Sequence, residues 1–215
     1  MHTVIKLKNR KLSRLPREFD EDDDVRYSDS LVKYFVNNFT KEGDVVFDPF
    51  AGFGTSLIVA ESMNRVPIGL EFLPDRFQYI QKHLKNSSAI ILGDSRKLSE
   101  FDLPQFDLSI TSPPFMTKND HPENPFEGYL SLGYCYDSYF NDLLSVYTQI
   151  RKLMKNDSHI VIEAPSIKHK GTVTTLAWDI ARSLSTILNF EGEIVIEWDV
   201  YGFGYNHSYC LVFSK

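Results

Sequence analysis

Short apolar runs alternate with amphipathic stretches along most of the chain. Runs at residues 44–47, 66–72, 89–92, 106–110, 159–163, 193–200 and 208–213 predict strands. Apolar residues spaced by three and four predict helices over 55–63, 74–84, 137–154 and 174–188. In the 137–154 stretch one face is written by Phe140, Leu143, Leu144, Tyr147, Ile150 and Met154. Pro74 sits early in the first turn of its helix, where a missing N–H costs nothing. A further helix is predicted over 27–39, ahead of the first strand. Strands separated by helices predict a parallel sheet covered on both faces. Nothing helical separates the last two strands, so they pair as an antiparallel hairpin. The expectation is an α/β fold with a seven-stranded, mostly parallel sheet and one antiparallel strand. Residues 115–136 show no regular period, and a loop of that length is usually functional or disordered.

A length of 215 residues with 42% hydrophobic content predicts one domain with a full core. No apolar run is long enough to span a membrane, and the N-terminus lacks the apolar centre of a secretory signal. Cys135 and Cys210 form no CxxC pair, which favours a reducing, cytoplasmic setting over a disulfide framework. The histidines show no metal spacing, so no metal site is expected. The net charge of −6 counts mildly against a nucleic-acid partner, but it is unevenly placed. Residues 1–17 hold Lys6, Lys8, Arg10, Lys11, Arg14 and Arg17 and no acid; Glu18, Asp20, Glu21, Asp22, Asp23 and Asp24 follow at once. The N-terminal 26 residues are therefore expected as a basic and acidic arm, able to grip phosphates or to add a strand.

Four motifs close predicted strands, where open α/β sheets bind ligands. Asp48, Pro49, Phe50, Ala51, Gly52, Phe53, Gly54 and Thr55 run from a strand through a tight turn into a helix. The glycines permit the turn, the helix N-terminus attracts a carboxylate, and Asp48 attracts an amine, so a zwitterionic amino acid fits the pair. Glu71 lies 17 residues after Gly54, near the spacing at which an acid meets ribose hydroxyls; a surface strand end is the plainer reading. Asp94, followed by Ser95, either accepts from an adenine amine or caps a turn. In the segment Thr111, Ser112, Pro113, Pro114 and Phe115, two prolines remove donors and stiffen the chain. That leaves a rigid edge of acceptors beside an aromatic face, suited to the exocyclic amine of a planar base.

Asp-Pro-Phe-Ala-Gly-Phe-Gly-Thr at 48–55 and Thr-Ser-Pro-Pro-Phe at 111–115 resemble the two signature motifs of the S-adenosylmethionine-dependent exocyclic-amino methyltransferases. These enzymes methylate cytosine N4 or adenine N6 in DNA, and some relatives act on RNA. The resemblance runs from about Tyr27 to the C-terminus and implies a Rossmann-like class I methyltransferase domain over 27–215. It implies that Tyr27, Ser28, Asp48 and the turn from Pro49 to Thr55 hold the methionine end of the cofactor. Glu71 would bind the ribose, Phe72 the adenine ring, and Asp94 with Ser95 its amino group. Ser112, Pro113, Pro114 and Phe115 would hold the target amine, and Ser ahead of Pro-Pro leans toward cytosine N4. Phe53 departs from the family pattern, in which a small residue is common.

No stretch remains for a separate target-recognition domain, so loops, a partner subunit, a homodimer or a structured ribosomal RNA would supply recognition. Candidate substrate contacts are Lys118 and Tyr129 in the long loop, Lys168 in a small basic cluster, and Tyr205 in the glycine-rich tip at 201–207. Two other readings stay open. One is a protein side-chain amide methyltransferase, which usually has Asn where this chain has Ser112; the other is an inactive cofactor-binding subunit.

Overall fold

The strand and helix alternation folds as one layered sheet, seen in a computed structural model that describes residues 3–11, 15–16, 19, 26–118, 122–169, 171–202 and 204–215. The acidic run, Arg14, Arg17, Lys170 and Phe203 lie outside the described residues. In chain order the elements are Val4–Leu7 (β1), Asp29–Phe39 (α1), Val45–Asp48 (β2), Thr55–Ser62 (α2), Val66–Glu71 (β3) and Pro74–His83 (α3). They continue with Ile90–Leu92 (β4), Phe106–Thr111 (β5), Tyr136–Leu153 (α4), Met154–Ala164 (β6), Ile167–His169 (β7) and Thr172–Thr174 (β8). Leu176–Leu184 (α5), Asn189–Trp198 (β9) and His207–Ser214 (β10) complete the chain.

The main sheet has eight strands in the order β1-β9-β10-β6-β5-β2-β3-β4, and β10 alone runs against its neighbours. Seven of these strands match the expected ones. The eighth exceeds the expected count of seven and is the added strand that the arm offered as one reading: β1 pairs in parallel with β9, from Val4 opposite Val195 to Leu7 opposite Trp198. Its alternation of exposed Val4 and Lys6 with half-buried Ile5 and Leu7 is a strand pattern that the lysines disguise. The β7–β8 hairpin was not expected; it is a separate two-stranded antiparallel sheet of three residue pairs that follows the end of β6 at Ala164.

Successive residues of the central strands feed opposite faces. Ile160 and Ile162 pack with Tyr139, Leu143, Tyr147 and Ile150 of α4, while Val161 packs with Leu31 and Phe35 of α1 on the other side. α2 is buried almost all round, which suits its apolar run of Leu57, Ile58, Val59 and Ala60. α3 carries Asp75 in its first turn and Lys82 and His83 in its last, matching the helix dipole. α1 begins at Asp29 rather than Tyr27, because Ser28 caps it by accepting from the Ser30 N–H. The long loop is also ordered in part: a 3-10 turn over Pro125–Glu127 is capped by Asn124. Among the described residues no helix is long and apolar enough to cross a membrane.

Candidate functional site

The carboxyl ends of β2, β3, β4 and β5 lie side by side, and a cavity opens above them. Including its open mouth it holds about 1060 Å³ of empty space. Pro49, Phe50, Ala51, Gly52, Phe53 and Thr55 line one side, and Glu71 and Phe72 another. Asp94, Ser95 and the four residues from Ser112 to Phe115 close it.

Asp48 is wholly buried beneath this cavity and does not line it. Its Oδ2 accepts from the Tyr27 hydroxyl at 3.1 Å and from Ser56, and its Oδ1 accepts from the Phe50 N–H at 3.0 Å. Burial pushes the carboxyl up from its ordinary value, and these donors pull it back. Asp48 is therefore the anchor of the turn, where an amine-binding group was expected. Gly54 is likewise a packing residue outside the cavity wall: its φ is +75°, and a Cβ there would stand 2.9 Å from the Ile80 side chain. Phe53, the unusual residue of the motif, is turned into a cluster with Phe19 and Tyr79, with the Arg76 guanidinium 4.8 Å from its ring centre.

Glu71 closes β3 and stitches the turn to it. Its Oε2 accepts from the Gly52 N–H and its Oε1 from the Leu73 N–H, both at 2.8 Å. Burial pushes its carboxyl up to about 7 in spite of these bonds. Asp94 caps the following 3-10 turn and forms a forked pair with Arg96, at 2.7 Å from Nη2. Arg96 also reaches Glu127 at 3.0 Å, which ties the long loop to the cavity rim. Ser95 donates to the Pro49 carbonyl and so links the β4 and β2 ends. Tyr129, held in the left-handed region at φ +65°, lines the cavity and donates to the Phe115 carbonyl at 2.8 Å. For a non-glycine residue that conformation costs about 1–2 kcal/mol, so it marks a constrained position.

A second cavity, about 700 Å³ with its mouth, lies on the far side of the same edge and shares Arg26, Tyr27, Ser112 and Phe115 with the first. Thr111 stands opposite Ile162 across β5 and β6, so Ser112, the first residue beyond β5, comes beside Glu163, which is still paired with Cys210 of β10. The Ser112 hydroxyl donates to Glu163 Oε2 at 3.1 Å, and the Tyr201 hydroxyl donates to Oε1 at 2.9 Å. Burial pushes the Glu163 carboxyl up, while the Ser208, Tyr201 and Ser112 hydroxyls pull it down.

Glu163 is the main functional candidate that the strand pattern did not single out. It closes an apolar strand just as Glu71 does, and that was the available signal. Arg26 was hidden in the charged arm. Among the expected cofactor residues, Ser28 lines the second cavity and not the first. Of the four expected substrate contacts, only Tyr129 reaches a cavity wall. Lys118 pairs with Asp179 at 3.2 Å, and Lys168 lies 4.3 Å from the Tyr205 ring centre, so these three side chains satisfy one another or α5.

Residues 16–82 match the DNA methylase family. Over 79 residues the chain is 34% identical to the orphan methyltransferase M.BamHII of Bacillus amyloliquefaciens, a stretch covering 37% of this chain and 29% of that protein. Over 77 residues it is 31% identical to the type II beta methyltransferase M.BslI of Bacillus sp. (strain NEB-606), covering 35% of this chain and 8% of that protein. The chain thus spans less than a third of the length of either relative. TrmN from Thermus thermophilus superposes with a TM-score of 0.61 at 16% identity, over 87% of this chain and 49% of that one. At that identity the likeness is one of fold.

Proposed function

We propose that this chain, whose residues 16–82 match the DNA methylase family and which has the Rossmann-like fold, is an exocyclic-amino methyltransferase that methylates a nucleic-acid base at cytosine N4. The observation that carries the reading is the hydrogen bond from Ser112 to Glu163 on the rim shared by two cavities.

The first cavity has the size and mixed lining of a cofactor site. Its residues fit S-adenosylmethionine, which supplies a methyl group activated on a sulfonium. Glu71 offers carboxylate lone pairs to ribose hydroxyls beyond the bonds it accepts from Gly52 and Leu73. Phe72, 37% exposed on the cavity wall, offers a face to the adenine ring. Gly54 leaves the start of α2 without a side-chain cap, so its first N–H groups can meet a carboxylate. Asp94 is already paired with Arg96, so an adenine amine would share it with the guanidinium.

A cytosine amine is conjugated with its ring and is a weak nucleophile. Ser112 Oγ gives its own proton to Glu163, which leaves its lone pairs to accept from the amine. The Pro113 carbonyl is a second acceptor on the same edge, and Phe115 offers a stacking face. As N4 acquires the methyl group it becomes positively charged and must lose a proton. That proton passes to Ser112 Oγ while the Ser112 proton moves to Glu163 Oε2. Burial raises the affinity of Glu163 for it. Positioning and electrostatics supply most of the acceleration. A base within a duplex does not reach such an edge, so the target is flipped out or already unpaired.

Ser112→Ala tests the reading. Methyl transfer to nucleic acid should fall by about two orders of magnitude or more, with affinity for S-adenosylhomocysteine unchanged. Transfer retained in Ser112→Ala would refute it; absence of transfer by the wild-type chain would move the weight to the inactive-subunit alternative.

A further inference from the structure

Residues 8–11 run from the end of β1 across the carboxyl edge of the sheet, and they are clamped from both sides. On one side the Asn9 N–H donates to Asp199 Oδ1 at 2.8 Å, and Asn9 Nδ2 donates to the Val200 carbonyl at 3.1 Å. On the other, the Asp29 N–H donates to the Arg10 carbonyl at 3.1 Å, and Ser30 Oγ donates to the Lys8 carbonyl at 2.8 Å. The Arg10 N–H donates to Ser28 Oγ at 2.9 Å. This clamping brings Asn9 and Lys11 to the wall of the second cavity.

That cavity collects three chemistries in one place. Acceptors and hydroxyls stand around Glu163, Ser112 and Tyr201. Flat apolar faces come from Phe115 and Trp198, the latter parallel to Tyr201 within 9° at 5.8 Å between ring centres. Cations come from Arg26, which is buried, and Lys11, which is exposed. An amine edge, a planar ring and a phosphate are the three parts of a single nucleotide.

We propose that the second cavity receives the acceptor nucleotide, that the clamped segment 8–11 is one of its walls, and that Lys11 meets the nucleotide's phosphate. The inference rests on the nucleic-acid reading above. It assigns substrate binding to a segment outside the sheet strands that carry the motifs, and it makes β1 the anchor that holds this wall in register.

Steady-state transfer from labelled S-adenosylmethionine to a single-stranded oligocytidine, as DNA and as RNA, tests it with the full chain. Lys11→Ala should raise KM for the oligonucleotide several-fold with kcat retained. The slope of log affinity against log salt should become shallower by about 0.7, the loss of one phosphate contact on a single strand. Lys11→Arg should restore both, and Asn9→Ala, which frees the wall, should raise KM without changing the affinity for S-adenosylhomocysteine. Unchanged KM and salt slope in Lys11→Ala, or a fall in kcat alone, would overturn the inference. Absence of transfer by the wild-type chain to both oligonucleotides would instead overturn the reading on which it rests.

Discussion

In its proposed role at the ribose, Glu71 makes cofactor binding depend on pH. The carboxyl titrates near 4.5 in an unfolded chain and at about 7 in the folded one. Folding therefore takes up a proton between these values. The group's contribution to stability is full below pH 4.5 and is lost as the pH rises through 7. A rise from 4.5 to about 7 corresponds to about 3 kcal/mol. Ribose hydroxyls donate to a carboxylate and not to a protonated acid, so a ligand with a ribose diol draws on the ionised form. Affinity should be about tenfold weaker at pH 6 than at pH 8, a difference of about 1.4 kcal/mol. Adenosine is the cleanest probe, because it carries the ribose and ring and has no group that titrates in this range. Calorimetric titration in buffers of different ionisation enthalpy should show nearly one proton released on binding at pH 6 and almost none at pH 8.5. S-adenosylhomocysteine should follow the same trend. An affinity for adenosine that stays flat from pH 6 to 8 would refute the assignment of Glu71 to the ribose.

Two other substitutions separate chemistry from scaffold. Glu163→Gln removes the proton acceptor behind Ser112; kcat should fall about 100-fold or more with cofactor affinity unchanged. Wild-type kcat should rise with pH through a carboxyl held above its usual range by burial, and this acid limb should vanish in the variant. Full activity in Glu163→Gln would contradict the proton path. Gly54→Ala forces a side chain into a left-handed backbone and against Ile80, and should cost about 2 kcal/mol or more. Thermal unfolding should shift down by roughly 4 °C or more, and a shift within 1 °C would show that the turn tolerates a Cβ.

The sheet was legible because its strands are short, apolar and punctuated, and because alternating helices leave one topology. β1 was legible only as one of two readings of the arm: Lys6 and Lys8 suggest a phosphate grip, whereas the alternation with Ile5 and Leu7 decides its pairing with β9. The lining of the candidate site was legible wherever a motif closes a strand and the side chain faces the cavity, as for Glu71, Asp94 and Ser112. It was misread at Asp48, because spacing tells that an acid closes a strand but not whether it points up to a ligand or down to Tyr27 and Ser56. Lys118, Lys168 and Tyr205 were misplaced for a related reason: a cation beside an aromatic in sequence often satisfies itself within the chain. The partnership of Ser112 with Glu163 spans 51 positions and depends on the β5–β6 register, which no local pattern encodes.

The most direct test is to incubate the chain with labelled S-adenosylmethionine and either unmethylated DNA or unmodified ribosomal subunits, digest to nucleosides, and resolve the products by mass. The account predicts label in N4-methylated cytosine nucleoside from one of the two, lost in Ser112→Ala. Label at a ring carbon, label confined to protein, or no label from a chain that binds the cofactor would contradict it.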